Sequence, residues 1–341
     1  MYYTGVKSLN IDIKSIAAKA GVSVATVSRA LNRPEMVRPA TREKILALVE
    51  DLGYKPNPLA RGLATGKTNQ IALVVPTLNN SFFGQLAEGS QNFLISQGYS
   101  LVIFSSQGYA EKELTIIKNL DQRQVDGLIL SGSGFFPSDY QPILEQIKVP
   151  AVLVEHLPDD PHLSSVYIDD RAGTTMAIQF LISRGHRQIG VIAGNPRMVT
   201  TCRRLQTVKY VLKEAGIPLT KKQVAYGDYA LLESGANALL TLITKNSNPP
   251  TAIFAFNDIL AIGALKAAQQ LGIKIPADLA IIGFDDIPSA AFCTPSLSTI
   301  HSPSLELGRQ AARLLLEQLN QENAPVKKVL LPVELVLRES C

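Results

Sequence analysis

The spacing of apolar residues changes character near residue 69. Before it, Ile13, Ile16, Ala17 and Ala20 form the i, i+3, i+4, i+7 stripe of one helix face, with Asp12 as its N-cap. Gly21 stops that helix by supplying a left-handed turn, and Ser23 caps a second helix running from Val24 to Leu31. A third helix begins at Pro39, a residue suited to the first helical position, passes through Ile45, Leu48, Val49 and Leu52, and ends at Gly53. Two short helices at a sharp turn, closed by a third, predict an all-α helix-turn-helix headpiece over residues 1–56. The stretch 57–68 then reads as a hinge: Asn57 as cap, Pro58 in the first turn and Gly66 as stop bound a helix of roughly two turns. Isolated helices shorter than about 12 to 15 residues are marginal in water. Gly62 inside this one costs about 1 kcal/mol more. The hinge is therefore expected to fold only when something packs against it.

Beyond residue 69 the periodic stripes give way to short, continuous apolar runs separated by helical segments. They fall at 71–75, 101–104, 127–130, 151–154, 189–193, 252–256 and 280–284. Strands buried on both faces of a parallel sheet read this way, and their alternation with helices predicts doubly wound α/β lobes. The 273 residues from 69 to 341 suffice for two such lobes. The fold class expected is thus an α/β core of two doubly wound parallel-sheet lobes behind an N-terminal helix-turn-helix headpiece. Ligands in such lobes sit at the carboxyl ends of the strands, in the cleft between them.

Charge sharpens the picture. Residues 1–68 carry 11 Lys or Arg against 5 Asp or Glu, a net +6, whereas the remainder carries 22 against 24. The chain's whole surplus of +4 comes from the small head, which points to double-stranded DNA as a partner. On the second helix Val24, Val27 and Leu31 can face the other helices, leaving Ala25, Thr26, Ser28 and Arg29 outside. Arg can donate two bonds to guanine in the major groove and a small methyl can meet thymine, while hydroxyls can hold phosphates and set register.

Other classes find little support. The run Gly62–Thr68 imitates the end of a phosphate-binding loop but has three residues between its glycines where four are needed, and it precedes a strand instead of following one. Gly132-Ser133-Gly134 lacks the third glycine of a dinucleotide fingerprint, and His156, His162, His186 and His301 show no metal-pair spacing. No catalytic residue, metal or cofactor is assigned. Cys202, Cys293 and Cys341 are too few and too scattered for a disulfide framework or a zinc site, which fits a reducing cytoplasm. The first 15 residues have no apolar core of signal-peptide length and no run approaches a membrane span, so a cytoplasmic, nucleoid-associated location without a membrane is expected.

The runs AGVSVATVSRALN at 20–32, TREKI at 41–45 and LGYKPNPLARGLATGKT at 52–68 resemble the LacI/GalR family of bacterial transcription regulators, and the likeness extends over almost the whole chain. The resemblance implies a periplasmic-binding-protein-like core, a homodimer, and a palindromic operator whose major groove is read by Arg29 and whose minor groove is entered by paired hinges, with Leu63 as the wedge and Ala60 beside it. The candidate DNA contacts are Ser23, Val24, Ala25, Thr26, Ser28, Arg29, Asn57, Ala60 and Leu63. Three crossings between lobes are implied, placing lobe one at about 69–168 and 295–325 and lobe two at about 169–294 and 326–341. Ser15 stands where the family usually has Asp, and Arg38 where Ser or Thr is frequent.

Matching family elements at strand ends give the candidate effector contacts Phe82, Phe83, Arg204, Tyr229, Asn257 and Asp285. Ser81 replaces a frequent Pro there, Thr207 a Gly, and Arg203 competes with its neighbour Arg204. Carboxylate and amide groups can bind neighbouring hydroxyls in pairs while aromatics cover a ring face, which suits a small sugar-like effector; a purine would use the same groups differently. The resulting expectation is a repressor of carbohydrate-utilisation genes. The alternatives are a catabolite-control-type regulator governed by a phosphorylated protein co-regulator and a purine-responsive repressor. The final residues 338–341 carry no Leu heptads, which favours a dimer over a tetramer.

Overall fold

The structure is a computed structural model that describes residues 12–54, 67–120, 125–131, 149–155, 163–321 and 324–341. The chain divides into two units, residues 1–68 and 69–341.

In the first unit, α1 (Ile13–Ala20), α2 (Val24–Asn32) and α3 (Pro39–Asp51) follow one another, with a 3-10 turn at Pro34–Met36. Each start has a local cause. Asp12 accepts a hydrogen bond from the Ser15 amide at 2.9 Å, and Ser23 accepts one from the Thr26 amide at 3.1 Å. Gly21 ends α1 in the left-handed region at φ +70°, where a side chain would be strained. Ile16, Val27 and Ile45 are fully buried where the three helices meet, and Leu31, Leu48, Val49 and Leu52 pack around them. Val24 does not join them: it is 41% exposed at the start of α2, so the inward orientation read from the sequence is corrected.

In the second unit lobe one opens with β1 (Gln70–Val75), α4 (Ser81–Ser96), β2 (Ser100–Ser105), α5 (Ala110–Leu120), β3 (Gly127–Ser131), β4 (Ala151–Val154) and β5 (Ser164–Ile168). Lobe two is built from α6 (Asp170–Ser183), β6 (Ile189–Ala193), α7 (Val199–Glu214), β7 (Val224–Tyr226), α8 (Leu232–Thr244), β8 (Ala252–Ala255), α9 (Asp258–Gln270), β9 (Ala280–Ile282) and α10 (Pro288–Phe292). The chain closes with β10 (Thr299–His301), α11 (Ser304–Asn320), β11 (Lys328–Leu331) and β12 (Glu334–Val336). The sheets have the strand orders β11-β5-β4-β3-β1-β2 and β7-β6-β8-β9, every ladder in them parallel. Such order arises because each apolar strand must be covered by helices on both faces, which only crossover connections supply.

Both lobes use the same device to bring helices close. A Cβ on Gly89 of α4 would collide with the Leu305 carbonyl of α11, and one on Gly308 of α11 with the Leu86 carbonyl. In lobe two Gly235 of α8 and Gly263 of α9 face the carbonyls of Leu260 and Leu232 in the same way.

The lobe boundaries differ from those expected. Residues 295–303 stay with lobe two, since Gly283 and Asp285 donate backbone bonds to Ser298 and Ile300 at 2.9 and 2.8 Å, and the return to lobe one begins at α11. The tail does not rejoin lobe two at 326: β11 is the edge strand of the first sheet, and only β12 leaves it to pair antiparallel with β10. An apolar run at 329–337 looks continuous in sequence, and the break falls at Pro332, which cannot donate to a ladder.

Candidate effector recess and nucleic-acid interface

Seven strands end at one recess between the lobes. Lobe one contributes Asn80, Phe82 and Phe83 after β1, Ser131 at the end of β3 and Glu155 after β4; lobe two contributes Gly194, Tyr229, Asn257 and Asp285 after β6, β7, β8 and β9, with Arg204 from α7. The recess encloses about 740 Å³, its mouth included. All six effector contacts proposed from the sequence line it. Residues from opposite lobes meet because their strands all run with carboxyl ends toward the cleft.

Each wall has a local origin. Asn80 caps α4 by accepting from the Phe82 amide at 3.0 Å, which turns Phe82 and Phe83 inward, edge to face with centroids 5.2 Å apart. Asn257 caps α9 through its Oδ1 at 2.9 Å from the Leu260 amide, while its Nδ2 donates to the Tyr229 carbonyl at 2.8 Å. Its amide therefore fixes the backbone of an aromatic wall as well as facing the recess. Glu155 and Asp285 both sit at positive φ, +64° and +109°, a backbone arrangement that costs about 1 to 3 kcal/mol and clusters at functional sites.

Charge is concentrated and nearly balanced. Asp170 at the start of α6 accepts from Arg203 at 3.0 Å and from Arg204 Nε at 2.7 Å. Arg204 also donates to the Phe256 carbonyl and lies over the Phe284 ring at 3.5 Å, so its guanidinium is held on three sides. Arg203 crosses to lobe one and donates to the Glu155 carbonyl at 3.0 Å. Burial works against the Arg204 charge, but Asp170, Asp285 and Glu155 together raise its pKa. Burial, helped by Asp170, pushes the Glu155 carboxyl up to about 8 against the pull of Arg204 and Arg203. Burial likewise lifts Asp285 well above the carboxylate range, opposed by Arg204 and by a side-chain bond with Asn80 of the other lobe. One edge of Glu155 remains accessible, yet its Oε1 is buried without a hydrogen-bond partner.

Glu155, Asp170 and Asn80 were not among the candidates. Glu155 could have been found, because it is the charged residue that directly ends the apolar run 151–154. Asp170 carries no such mark, since an Asp at a helix start reads as a cap. Asp258 and Asp286 lie outside the recess. Asp258 accepts from the Ile287 amide at 2.8 Å and Thr299 at 2.5 Å, and Asp286 from Arg338 at 2.7 Å.

On the headpiece, Ser23, Val24, Ala25 and Arg29 are exposed and Thr26 and Ser28 half-buried along one side of α2. Asn57, Ala60 and Leu63 lie outside the described residues, as do Gly132, Ser133, Gly134, His156 and His162. Among the described residues no cluster of His, Cys, Asp or Glu could hold a metal, and no helix is long and apolar enough to cross a membrane.

A helix-turn-helix head before a two-lobed, periplasmic-binding-protein-like core with a recess at its strand ends defines a DNA-binding transcription regulator. Residues 12–57 match the model of bacterial regulatory proteins of the lacI family, and residues 178–341 that of a periplasmic binding protein-like domain. The catabolite control protein A of Priestia megaterium is 34% identical over 97% of this chain and 99% of its own length. Two solved structures are similar: the lac repressor dimer bound to operator and the anti-inducer ONPF, with 29% identity, TM-score 0.86 and coverage of 97% of this chain and 98% of that one, and a complex of the transcriptional regulator CelR with cellobiose, with 31% identity, TM-score 0.73 and coverage of 97% and 100%. The chain belongs to the LacI family of transcription regulators, which act by binding DNA and not as enzymes.

Proposed function

We propose that this chain is a homodimeric repressor of carbohydrate-utilisation genes whose affinity for a palindromic operator is set by a small, uncharged sugar-like effector in the recess. The observation that carries this reading is the lining itself. Phe82, Phe83 and Tyr229 offer flat apolar walls, while Asn257, Asp285 and Glu155 offer acceptors for hydroxyl groups. Arg204 is the only cation among the described lining residues, and its guanidinium is already engaged by Asp170, the Phe256 carbonyl and the Phe284 ring, which leaves few of its donors to hold a phosphorylated or carboxylated ligand. The cellobiose held by CelR supports the same chemistry.

Regulation follows from where the lobes touch. The Arg203 to Glu155 bond crosses the cleft and ends at a recess residue, and Asn80 and Asp285 line the recess from opposite lobes. A ligand that exchanges with or reinforces that bond biases lobe closure. In a dimer that bias would alter the separation of the two 57–68 segments and hence whether they fold together and insert Leu63. Operator and effector affinities are then linked reciprocally, by a coupling typically of about 1 to 3 kcal/mol.

Calorimetry of the full chain against pentoses, hexoses, sugar phosphates and purines tests this, repeated with Asp285→Ala. A saturable signal from a neutral sugar that the variant loses supports the reading; a signal that survives the variant overturns the recess, and preference for a sugar phosphate or a purine overturns the ligand class. The likeness to catabolite control protein A over nearly its full length favours one second reading, control by a phosphorylated protein. Silence across the panel, with operator affinity rising when such a partner is added, would select it.

A further inference from the structure

The charged side chains that meet between the lobes do not balance. Lobe two supplies Asp170, Arg203, Arg204 and Asp285, and lobe one supplies Glu155 after β4. Asp170 holds both guanidiniums, at 3.0 and 2.7 Å, and Arg204 also acts on Asp285, so the lobe-two set is neutral by itself. Glu155 adds a third carboxyl to two arginines. Its carbonyl accepts from Arg203 at 3.0 Å, but its Oε1 is buried without a hydrogen-bond partner. Asp258 also acts on Asp285 from the lobe-two side. That carboxyl is fully buried, and its partners, the Ile287 amide and the Thr299 hydroxyl, belong to lobe two, so its surroundings stay with it when the lobes move.

A carboxylate taken out of water without a compensating cation is costly, and it escapes that cost by accepting a proton. Among the described residues neither Glu155 nor Asp285 has an arginine at ion-pair distance, and both respond accordingly. Burial, together with the charges of Asp170 and Asp285, pushes Glu155 up to about 8, and burial lifts Asp285 well above the carboxylate range. Opening the lobes would reverse this. Water would return to Glu155, and Asp285 would be left beside Arg204 in a set that needs no further charge.

We propose that closure of the two lobes takes up one proton, shared between Glu155 and Asp285 across the cleft, so that the core responds to pH without any ligand. The balance is simple. The open core has three hydrated carboxylates and two guanidiniums; the closed core has one neutral carboxyl and two carboxylates matched to two guanidiniums. The proposal needs lobe movement but no particular effector. Acid favours the closed arrangement and base the open one. Between the ordinary carboxyl value and about 8, uptake of one proton makes the closed-to-open ratio fall about tenfold per pH unit.

Small-angle X-ray scattering of the full chain from about pH 5 to 9, with infrared absorption of protonated carboxyl groups recorded on the same samples, tests this. The wild type should expand as pH rises, and a protonated-carboxyl signal should disappear over the same interval. Glu155→Gln and Asp285→Asn each leave two carboxylates facing two guanidiniums. Each should therefore lack that component of the signal and keep one lobe arrangement at every pH. A wild type whose dimensions do not change with pH overturns the proposal without recourse to either variant. An expansion that persists in Glu155→Gln or in Asp285→Asn would belong to another buried carboxyl, such as Asp258, and overturns it as well.

Discussion

The headpiece separates the residues that hold its fold from those proposed to meet DNA, and the core does not separate its fold from its proposed site. In the headpiece Ile16, Val27 and Ile45 are fully buried, while Ser23, Ala25 and Arg29, the proposed DNA contacts, are exposed. In the core, Arg204, Asp285, Asn257 and Phe82 line the recess and are each at most 7% exposed. A surface side chain can be exchanged with little effect on folding, typically within about 0.5 kcal/mol. A buried, charged one cannot, because its partners remain behind unpaired. If these assignments hold, specificity for DNA is open to change one residue at a time, whereas specificity for the effector is tied to the stability of the lobes.

The sharpest way to break this contrast is Asp170→Ala. Its carboxylate joins two arginines, one of them only 5% exposed, and its loss leaves both without an anionic partner at hydrogen-bond distance. Removing one member of a buried ion pair costs about 3 to 5 kcal/mol, so the urea transition of the core should fall by that much while the headpiece transition stays in place. A loss below about 1 kcal/mol would mean that the recess charges are as dispensable as the reading face.

Acid and base should act in opposite directions on the two regions. Burial raises Asp258 to about 7 and Glu155 to about 8, so between roughly pH 4 and 8 the folded core binds more protons than the unfolded chain. Their contribution is fully present below the unfolded carboxyl value and is lost as pH rises through 7 and 8. Asp12 has the other sign: bonds from the Ser15 amide and hydroxyl lower its pKa, so its contribution is present above the ordinary value and lost as pH falls. Core stability followed from pH 5 to 9 should decline, and Asp258→Asn with Glu155→Gln should flatten the slope. A core whose stability rises over that range would contradict the burial of these carboxyls.

The same contrast explains what could be read from the chain. Headpiece signals act over three or four residues: Asp12 on Ser15, Ser23 on Thr26, Gly21 at the turn, and stripes along single helices. In the core, apolar runs revealed most strands but not β5, which opens with Ser164 and Ser165, nor the short β7. The recess was legible where a residue follows an apolar run, as with Asn257 and Asp285. It was not legible where function depends on distant pairs. Asp170 meets Arg203 and Arg204 only because α6 and α7 pack together, and Asn80 lines the same recess as Asp285 only because the lobes come together there. The edge position of β11 was hidden for the same reason, since register is decided by the neighbouring strand.

The smallest effects separate folding from reading within α2 itself. Ser23 Oγ accepts from the Thr26 amide at 3.1 Å, and replacing such a cap with Ala costs about 1 kcal/mol. Arg29 is exposed, and Arg29→Ala should change headpiece stability by less than about 0.5 kcal/mol. Their effects on DNA should be reversed in kind. Ser23→Ala should weaken binding to all sequences alike, through a less stable helix and one hydroxyl fewer, while Arg29→Ala should lose about 1 to 3 kcal/mol of discrimination at one base position. Thermal melts alongside operator titrations with single-base variants would resolve the two. If Arg29→Ala lowers affinity uniformly, Arg29 contacts phosphate and another side chain of α2 reads the base.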